Sequence, residues 1–541
     1  MGLIPKRPAN EAGAAWPSIL IGLFVAFGGV LYGYDTGLIS GLQAMDYWKR
    51  TFSTTGDPDG PTSGENSLIV SILSAGTFVG ALLAGQVADL AGRRWGIILS
   101  TGIVFNLGVI MMTAASDQPL FIAGRFFAGM GVGLVSAQIP LYQSEVLPAW
   151  IRGAIVGCYQ LSITIGLFVA ACVNYGTRDR EDSGSYRIPV ALQFLWSILL
   201  MSGMLMFPET PRFLIKQDKY DAALKSLSRL RRLPKDHIAV VTELQEIQAN
   251  HQYELSVGTA SYTECFKGTV LKRLITGCLI QSLQQLTGVN FIFYYGTQYF
   301  ERAGFAGQGF TIQIITNVVN VFSTFPGLWA VDKLGRRWLL LIGAFGMAIS
   351  QFIVAFVGTF VADPTANAGN PNVAAQRASI AFVCIYIFFF ASTWGPGAWV
   401  VTGELFPLRV RAKCLSMTTA SNWLLNFVIA FITPYLVDAD QANLQSKVFF
   451  IWGSCCWACV AFVFFMIYET KNLTLEQVSE LYGIVGKAWK SKEFRPQVSF
   501  QDAERGMSIS ENVNNQVRKR SLVEHHEDFA DEKPTAGPRA M

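Results

Sequence analysis

Twelve apolar runs, each about as long as an α-helix needs to be to cross a 30 Å hydrocarbon layer, constrain this chain more than any other feature. They lie at roughly 17–42, 66–88, 96–115, 119–142, 153–176, 187–207, 271–300, 308–331, 338–361, 378–402, 414–436 and 446–468. A backbone in hydrocarbon must satisfy its own hydrogen bonds, so runs this long and continuous fold as helices. The composition agrees: of 541 residues 51% are hydrophobic and 15% charged, with a mean hydropathy of +0.35, the profile of a polytopic membrane protein. A net charge of +4 carries no nucleic-acid signal. All four histidines fall in polar segments and the nine cysteines show no ligand spacing, so neither a metal nor a cofactor is expected. The first run, from Trp16-Pro17, is too long and glycine-rich for a cleavable signal and is expected to stay as a helix.

The runs divide the chain into an N-terminal segment (1–16), a six-helix bundle (17–207), a polar linker (208–270), a second six-helix bundle (271–468), a short motif (469–485) and a polar tail (486–541). Periodic stretches in the linker, such as Tyr220-Asp-Ala-Ala-Leu-Lys-Ser-Leu, predict short amphipathic helices. The tail has too little apolar mass to fold and is expected to be disordered. Arg212, Lys216, Lys219, Lys225, Arg229, Arg231, Arg232 and Lys235 crowd the linker, and positive-inside bias places it and both termini in the cytosol.

The halves repeat. Asp89, Arg93 and Arg94, in Gly85-Gln-Val-Ala-Asp89-Leu-Ala-Gly92-Arg93-Arg94 after the second run, match Asp332, Arg336 and Arg337 after the eighth. Glu145 and Arg152 after the fourth run match Glu404 and Arg411 after the tenth, at the same spacing. Pro208-Glu209-Thr210-Pro211-Arg212 has an echo in Tyr468-Glu469-Thr470-Lys471. Parallel six-helix repeats with a site between them are a transporter plan. The acid–base sets at the helix ends read as salt-bridge latches, and the arginines also signal topology.

The seventh run is the polar one. On a straight helix Gln281, Gln284, Gln285 and Gly288 share one face, and Asn290 points the opposite way. Asn290 joins the glutamines only if the helix unwinds near Thr287-Gly288. Amides and phenols hydrogen-bond without charge, which suits a neutral, hydroxyl-rich ligand; the other reading is amide glue between helices. Asp35, a charge inside the first run, calls for a partner or for protonation, and Arg125 early in the fourth run is the natural partner.

Over residues 17–480 the chain resembles the sugar porters of the major facilitator superfamily, and among them the fungal hexose carriers. The resemblance rests on Gly33-Tyr34-Asp35-Thr36-Gly37, the Gly-Arg-Arg motifs, Gly124-Arg125-Phe-Phe-Ala-Gly129-Met-Gly131-Val-Gly133 and Pro208-Glu209-Thr210-Pro211-Arg212. It also rests on Gln284-Gln285 through Tyr294-Tyr295 and on Tyr468-Glu-Thr-Lys-Asn-Leu-Thr-Leu475-Glu476. Thr210 replaces the family's usual serine and keeps the hydroxyl.

The resemblance implies an all-α fold of twelve transmembrane helices in two pseudo-symmetric bundles. It implies a sugar site of Gln160, Gln284, Gln285, Asn290, Asn320, Phe390, Trp399, Asn422 and Trp423. Tyr294 and Tyr295 resemble the family's extracellular gate, and Asp35 with Arg125 resembles the pair of its proton-coupled members. The expected partners are a monosaccharide (glucose first), protons and the bilayer, with no nucleic acid and no obligate protein partner. The expected role is a hexose/proton symporter of the plasma membrane. A facilitative uniporter, in which Asp35–Arg125 is a fixed structural pair, and a non-transporting glucose sensor are the alternatives. No nucleophile–base pair or phosphate loop suggests an enzyme: Gly129-Met-Gly131-Val-Gly133 reads as helix packing and a hinge.

Overall fold

The computed structural model describes residues 13–54, 60–257, 261–302, 308–361, 372–407, 410–438, 440–471, 473 and 475–494. Every regular element among them is helical. In the first half the spanning helices are Trp16–Leu42, Ser63–Ala91, Arg93–Ala114, Gln118–Val146, Ala149–Thr177 and Gly184–Met206. In the second half, five are Gly309–Leu334, Arg336–Phe360, Val373–Leu405, Arg411–Val437 and Val448–Met466. The seventh span is two pieces, Gly268–Leu286 and Val289–Arg302. The break falls where the sequence allowed one: Gly288 takes φ +85°, a left-handed conformation open to glycine. The tenth helix re-registers through a π turn, Phe390–Trp394, a feature often found at functional sites.

Close helix contact depends on small residues. A Cβ on Gly129 or Gly133 of the fourth helix would lie 2.2 Å from a carbonyl of the second helix, Leu73 O or Thr77 O respectively. The glycine pattern is therefore a packing seam, as read from the sequence. Across the molecular midline the second helix packs on the eleventh, the fifth on the eighth and the first on the second piece of the seventh.

The end of the bundle opposite the linker is knitted across this midline. Ser40 Oγ lies 3.0 Å from Thr297 Oγ1, Gln298 Nε2 donates to Gln43 O (2.8 Å), and Ser67 Oγ donates to Phe431 O (2.7 Å). At the other end the linker folds into helices Pro211–Lys216, Tyr220–Arg231 and Ile238–Val257, which bury Ile215, Ala223, Leu227, Val240 and Leu244 against one another.

The start of the tail differs from the expectation. Ala488–Glu493 forms a 3₁₀ turn whose Trp489 stacks on Phe464 (centroids 5.9 Å apart, planes 12°), while Ser491 Oγ accepts from the Glu469 N–H (2.9 Å). Two local apolar anchors, Ala488 and Trp489, outweigh the polar average of the segment. The tail from 495 onward, with its asparagine-rich stretch, lies outside the described residues.

Gly288 gives the fold a direct test. An added Cβ would sit 2.6 Å from Trp452 Cγ in a backbone conformation that L-residues avoid at about 1–2 kcal/mol. Gly288→Ala should lower the unfolding temperature of the purified protein, and Gly268→Ala, where φ is +54° but no atom lies within 4 Å, should lower it less.

Candidate functional site

The break in the seventh helix brings the amides together. Asn290 Nδ2 donates to Gln285 Oε1, joining two side chains that a straight helix would point apart. Gln284 Nε2 donates to the carbonyls of Trp394 (2.9 Å) and Gly395 (3.2 Å), at the π turn of the tenth helix. Asn422 Nδ2 donates to Gln281 Oε1 (2.8 Å) and Gln284 Oε1 (3.0 Å), and Gln281 Nε2 donates to Thr402 Oγ1 (3.1 Å). Gln160 approaches from the first half: a Cβ on Gly395 would lie 3.9 Å from its Nε2 and 3.8 Å from Phe390 Cε1. Gln160, Gln284, Gln285, Asn290, Phe390 and Asn422 thus converge at mid-depth.

Two further members present unused donors. Asn320 Nδ2 and Trp423 Nε1 are buried with no hydrogen-bond partner among the described residues, an arrangement that needs a reason because buried donors are nearly always satisfied. Tyr32 packs edge-on against Trp423 (centroids 5.4 Å, planes 76°). Trp399 is the exposed member, with 40% of its surface accessible. The chemistry is uniform: neutral donors and acceptors beside indole faces, able to grip a polyol and to pack on its C–H face. Tyr294 and Tyr295 are buried; Tyr294 OH donates to Asn426 Oδ1 (3.1 Å) and Tyr295 OH to Ala430 O (2.7 Å).

Asp35 and Arg125 meet in the first half, both fully buried, but the contact is loose: Arg125 Nη1 stands 3.9 Å from Asp35 Oδ1. Gln193 Nε2 donates to the same oxygen (3.1 Å), leaving Asp35 Oδ2 without a donor among the described residues. Arg125 Nε donates to Ile69 O (3.2 Å) and its Nη2 is unpartnered there.

The charged motifs form two corners at the linker end, and the halves match almost atom for atom. Arg93 pairs with Glu145 (3.1 Å) and Asp89 (3.3 Å), and Thr210 Oγ1 donates to Glu145. Arg336 pairs with Glu404 (2.7 Å), to which Thr470 Oγ1 also donates (2.7 Å). Arg94 donates to Met204 O and Leu205 O, and Arg337 to Ile467 O and Phe464 O.

Glu209 and Glu469 act differently from simple latch partners. Glu209 accepts from the backbone N–H groups of Arg93, Arg94 and Thr210, and Glu469 from those of Arg336, Arg337 and Lys471. Each carboxylate caps a helix N-terminus that opens on a positive-φ glycine, Gly92 or Gly335. Burial pushes the Glu209 carboxyl above its ordinary value despite these N–H groups. Arg152 Nη2 donates to Leu147 O (3.4 Å), Arg411 Nε has no hydrogen-bond partner among the described residues, and Arg212 is exposed. The side chain of Asp332 lies outside the described residues.

Sequence reasoning missed Asn426, which joins three other side chains of the cluster. Its Oδ1 accepts from Ser74 Oγ (2.6 Å) and Tyr294 OH, and its Nδ2 donates to Gln285 Oε1 (3.3 Å). The signal was present: Asn426 lies four residues after Asn422, on the same helix face. Gln193 was legible too, as an amide inside an apolar run.

The family model described as "Sugar (and other) transporter" matches residues 21–482. The major facilitator-type transporter ecdD of Aspergillus rugulosus is 60% identical over 505 residues, covering 92% of this chain and 93% of its own length. The probable glucose transporter rco-3 of Neurospora crassa is 50% identical over 511 residues, covering 92% and 84%. Among solved structures, the inward open conformation of the xylose transporter XylE from E. coli is similar with a TM-score of 0.68 at 26% identity, covering 86% of this chain and 99% of that one.

Asn426 carries the prediction. Asn426→Ala strips Ser74 and Tyr294 of their shared acceptor inside the bundle, which should cost about 1–3 kcal/mol and lower the unfolding temperature. Tyr294→Phe removes one donor and leaves Asn426 partnered by Ser74, so its effect should be smaller in the same thermal scan.

Proposed function

The chain belongs to the sugar transporter family of the major facilitator superfamily, and from that premise we propose that it carries a hexose, glucose foremost, across the plasma membrane by alternating access and in symport with protons. The amide cluster around the broken seventh helix supports the substrate class. Five amide side chains from three helices, Gln160, Gln284, Gln285, Asn290 and Asn422, come together without a charge among them, and Asn320 and Trp423 hold donors with no partner among the described residues. In this reading Gln160, Gln284, Gln285, Asn290, Asn320 and Asn422 hold the hydroxyls, and Trp399, Trp423 and Phe390 lie against the ring. Tyr294 and Tyr295 close the extracellular side, and the basic linker and both termini face the cytosol.

Asp35 supports the coupling. A fixed buried ion pair needs short, multiple hydrogen bonds to offset desolvation. At 3.9 Å, with Oδ2 undonated, this one is poorly built for permanence, and Oδ2 is the oxygen free to carry a proton. Protonation frees Arg125, whose Nε already holds Ile69 O on the second helix. That helix also bears Ser74, the donor to Asn426, so the proton site and the amide cluster share one rigid element.

Uptake of radiolabelled glucose in yeast lacking its own hexose carriers tests both parts. The protein should accumulate sugar uphill and lose that accumulation with a protonophore. Asp35→Asn should equilibrate sugar without accumulating it while retaining counterflow; full accumulation by this variant would remove Asp35 from the coupling. Gln285→Ala should raise KM by roughly ten- to a hundredfold through lost hydrogen bonds. Saturable uptake indifferent to the protonophore would make the protein a uniporter.

A further inference from the structure

From Gln313 to Thr324 every buried position of the eighth helix is polar: Gln313, Thr316, Asn317, Asn320, Ser323 and Thr324. Polar groups at membrane depth are costly, and they face the bundle interior or a water-filled path. The threonine hydroxyls of this stripe are already satisfied. Thr316 Oγ1 donates to Gln313 O and Thr324 Oγ1 to Asn320 O, each at 2.9 Å. The amides differ. Both polar side-chain atoms of Gln313, Oδ1 of Asn317 and Nδ2 of Asn320 are buried with no hydrogen-bond partner among the described residues.

Asn320 was placed in the sugar site above. Asn317 and Gln313 lie one and two turns nearer the far end, roughly 4 and 10 Å along the helix axis. Asn317 Nδ2 donates to Gln313 O (2.9 Å), which fixes the amide beneath Gln313. Gln313 itself lies against the second piece of the seventh helix: a Cβ on Gly296 would come 2.7 Å from its Oε1. The next two residues, Thr297 and Gln298, make the contacts with Ser40 Oγ and Gln43 O that knit the far end. Gly296, bare of a side chain, lets this closing segment seat over the Gln313 amide.

Closure in this form leaves polar atoms without partners. Each such buried donor or acceptor costs about 1–3 kcal/mol, and buried polar groups are nearly always satisfied. Uncharged donors and acceptors suit hydroxyl groups. Successive turns of a helix set their side chains about 5–6 Å apart, a distance that one sugar ring spans.

We propose that Gln313 and Asn317 form an outer polyol-binding station, which a sugar arriving from the far side occupies before it reaches Asn320 and the amide cluster. The station opens when Val289–Arg302 moves off the eighth helix, and the hydroxyls of the sugar then satisfy the amides that closure leaves bare. Such a station presupposes the sugar transport proposed above and adds a second site to it. Its two amides give up their ligand as the segment closes, so the cost of closure favours passage inward to Asn320.

Initial rates of radiolabelled glucose uptake are measured in yeast lacking its own hexose carriers and in inside-out plasma-membrane vesicles from the same cells, which present sugar to each face in turn. Gln313→Leu and Asn317→Leu should each raise the half-saturating glucose concentration at the far face by roughly three- to tenfold, the scale of one neutral hydrogen bond. At the linker face the half-saturating concentration should not change. Thr316→Val, which removes a hydroxyl already bonded to its own helix, should leave both faces as they are. In a thermal scan of the purified protein Gln313→Leu should unfold no earlier than wild type, because it removes two buried atoms that have no partner.

Should Gln313→Leu fail to fold, Gln313→Asn keeps the amide on a shorter arm and should still raise the far-face value. Wild-type uptake with an unchanged far-face value in the Gln313 and Asn317 variants overturns the outer station and leaves the sugar reading standing. An equal rise at both faces overturns it likewise, by assigning the amides to the central site. Absence of glucose uptake by the wild type overturns both.

Discussion

One carbonyl shows how this fold tolerates its own interruption. Breaking a helix at bilayer depth frees backbone groups that hydrocarbon cannot solvate, at several kcal/mol for each one left bare. Here the freed oxygen is Thr287 O. Gln351 Nε2 donates to it (2.7 Å), as do Tyr386 OH (3.0 Å) and, weakly, Cys456 Sγ (4.0 Å). The Thr287 hydroxyl turns back onto Gln284 O (2.7 Å). The ninth, tenth and twelfth helices thus supply the donors that the seventh gives up. The amide cluster depends on this: without the break Asn290 cannot reach Gln285, and without the three donors the break has no compensation.

The same logic of compensated backbone governs the charged motifs. Their repetition suggested latches of opposite charge, yet the carboxylates of Glu209 and Glu469 accept from peptide N–H groups. Capping fixes where the third and ninth helices begin. The side-chain pairs Arg93–Glu145 and Arg336–Glu404 then tie those starts to the fourth and tenth helices. Exposed pairs of this kind would be worth little, but these are partly buried and joined to caps, so they act as corners of each half rather than as surface decoration.

How much of this was legible in the sequence follows from what each feature depends on. Twelve spans, the duplicated motifs and the break at Thr287-Gly288 are local in sequence: length, repetition and a single glycine announce them. The helix ends moved by several residues, because polar caps such as Thr62 extend helices beyond their apolar runs. What could not be read was which polar group meets which across helices. Nothing in the run around Gln351 says that its amide belongs to Thr287. Asn426 was hidden for a similar reason, since its partners come from the second and seventh helices. Trp394 and Trp399 look alike in sequence, yet one is fully buried with its Nε1 on Leu340 O (2.9 Å) and the other is exposed.

Asn426 also decides how ligand and closure can be linked. Its Oδ1 receives Ser74 from the first half, and its Nδ2 gives to Gln285, which holds Asn290. A chain of three hydrogen bonds therefore runs from one half of the molecule into the amides of the other. A ligand hydroxyl that bonds to Gln285 or Asn290 competes with that chain or completes it, and changes the contact between the halves by the same free energy. Differential contact of this kind is the requirement for a ligand to move a two-state equilibrium. The far-end contacts of Ser40, Ser67 and Gln298 cross the same midline. In the proposed function, recognition and closure would draw on the same atoms, and no separate signalling path would be needed to join them.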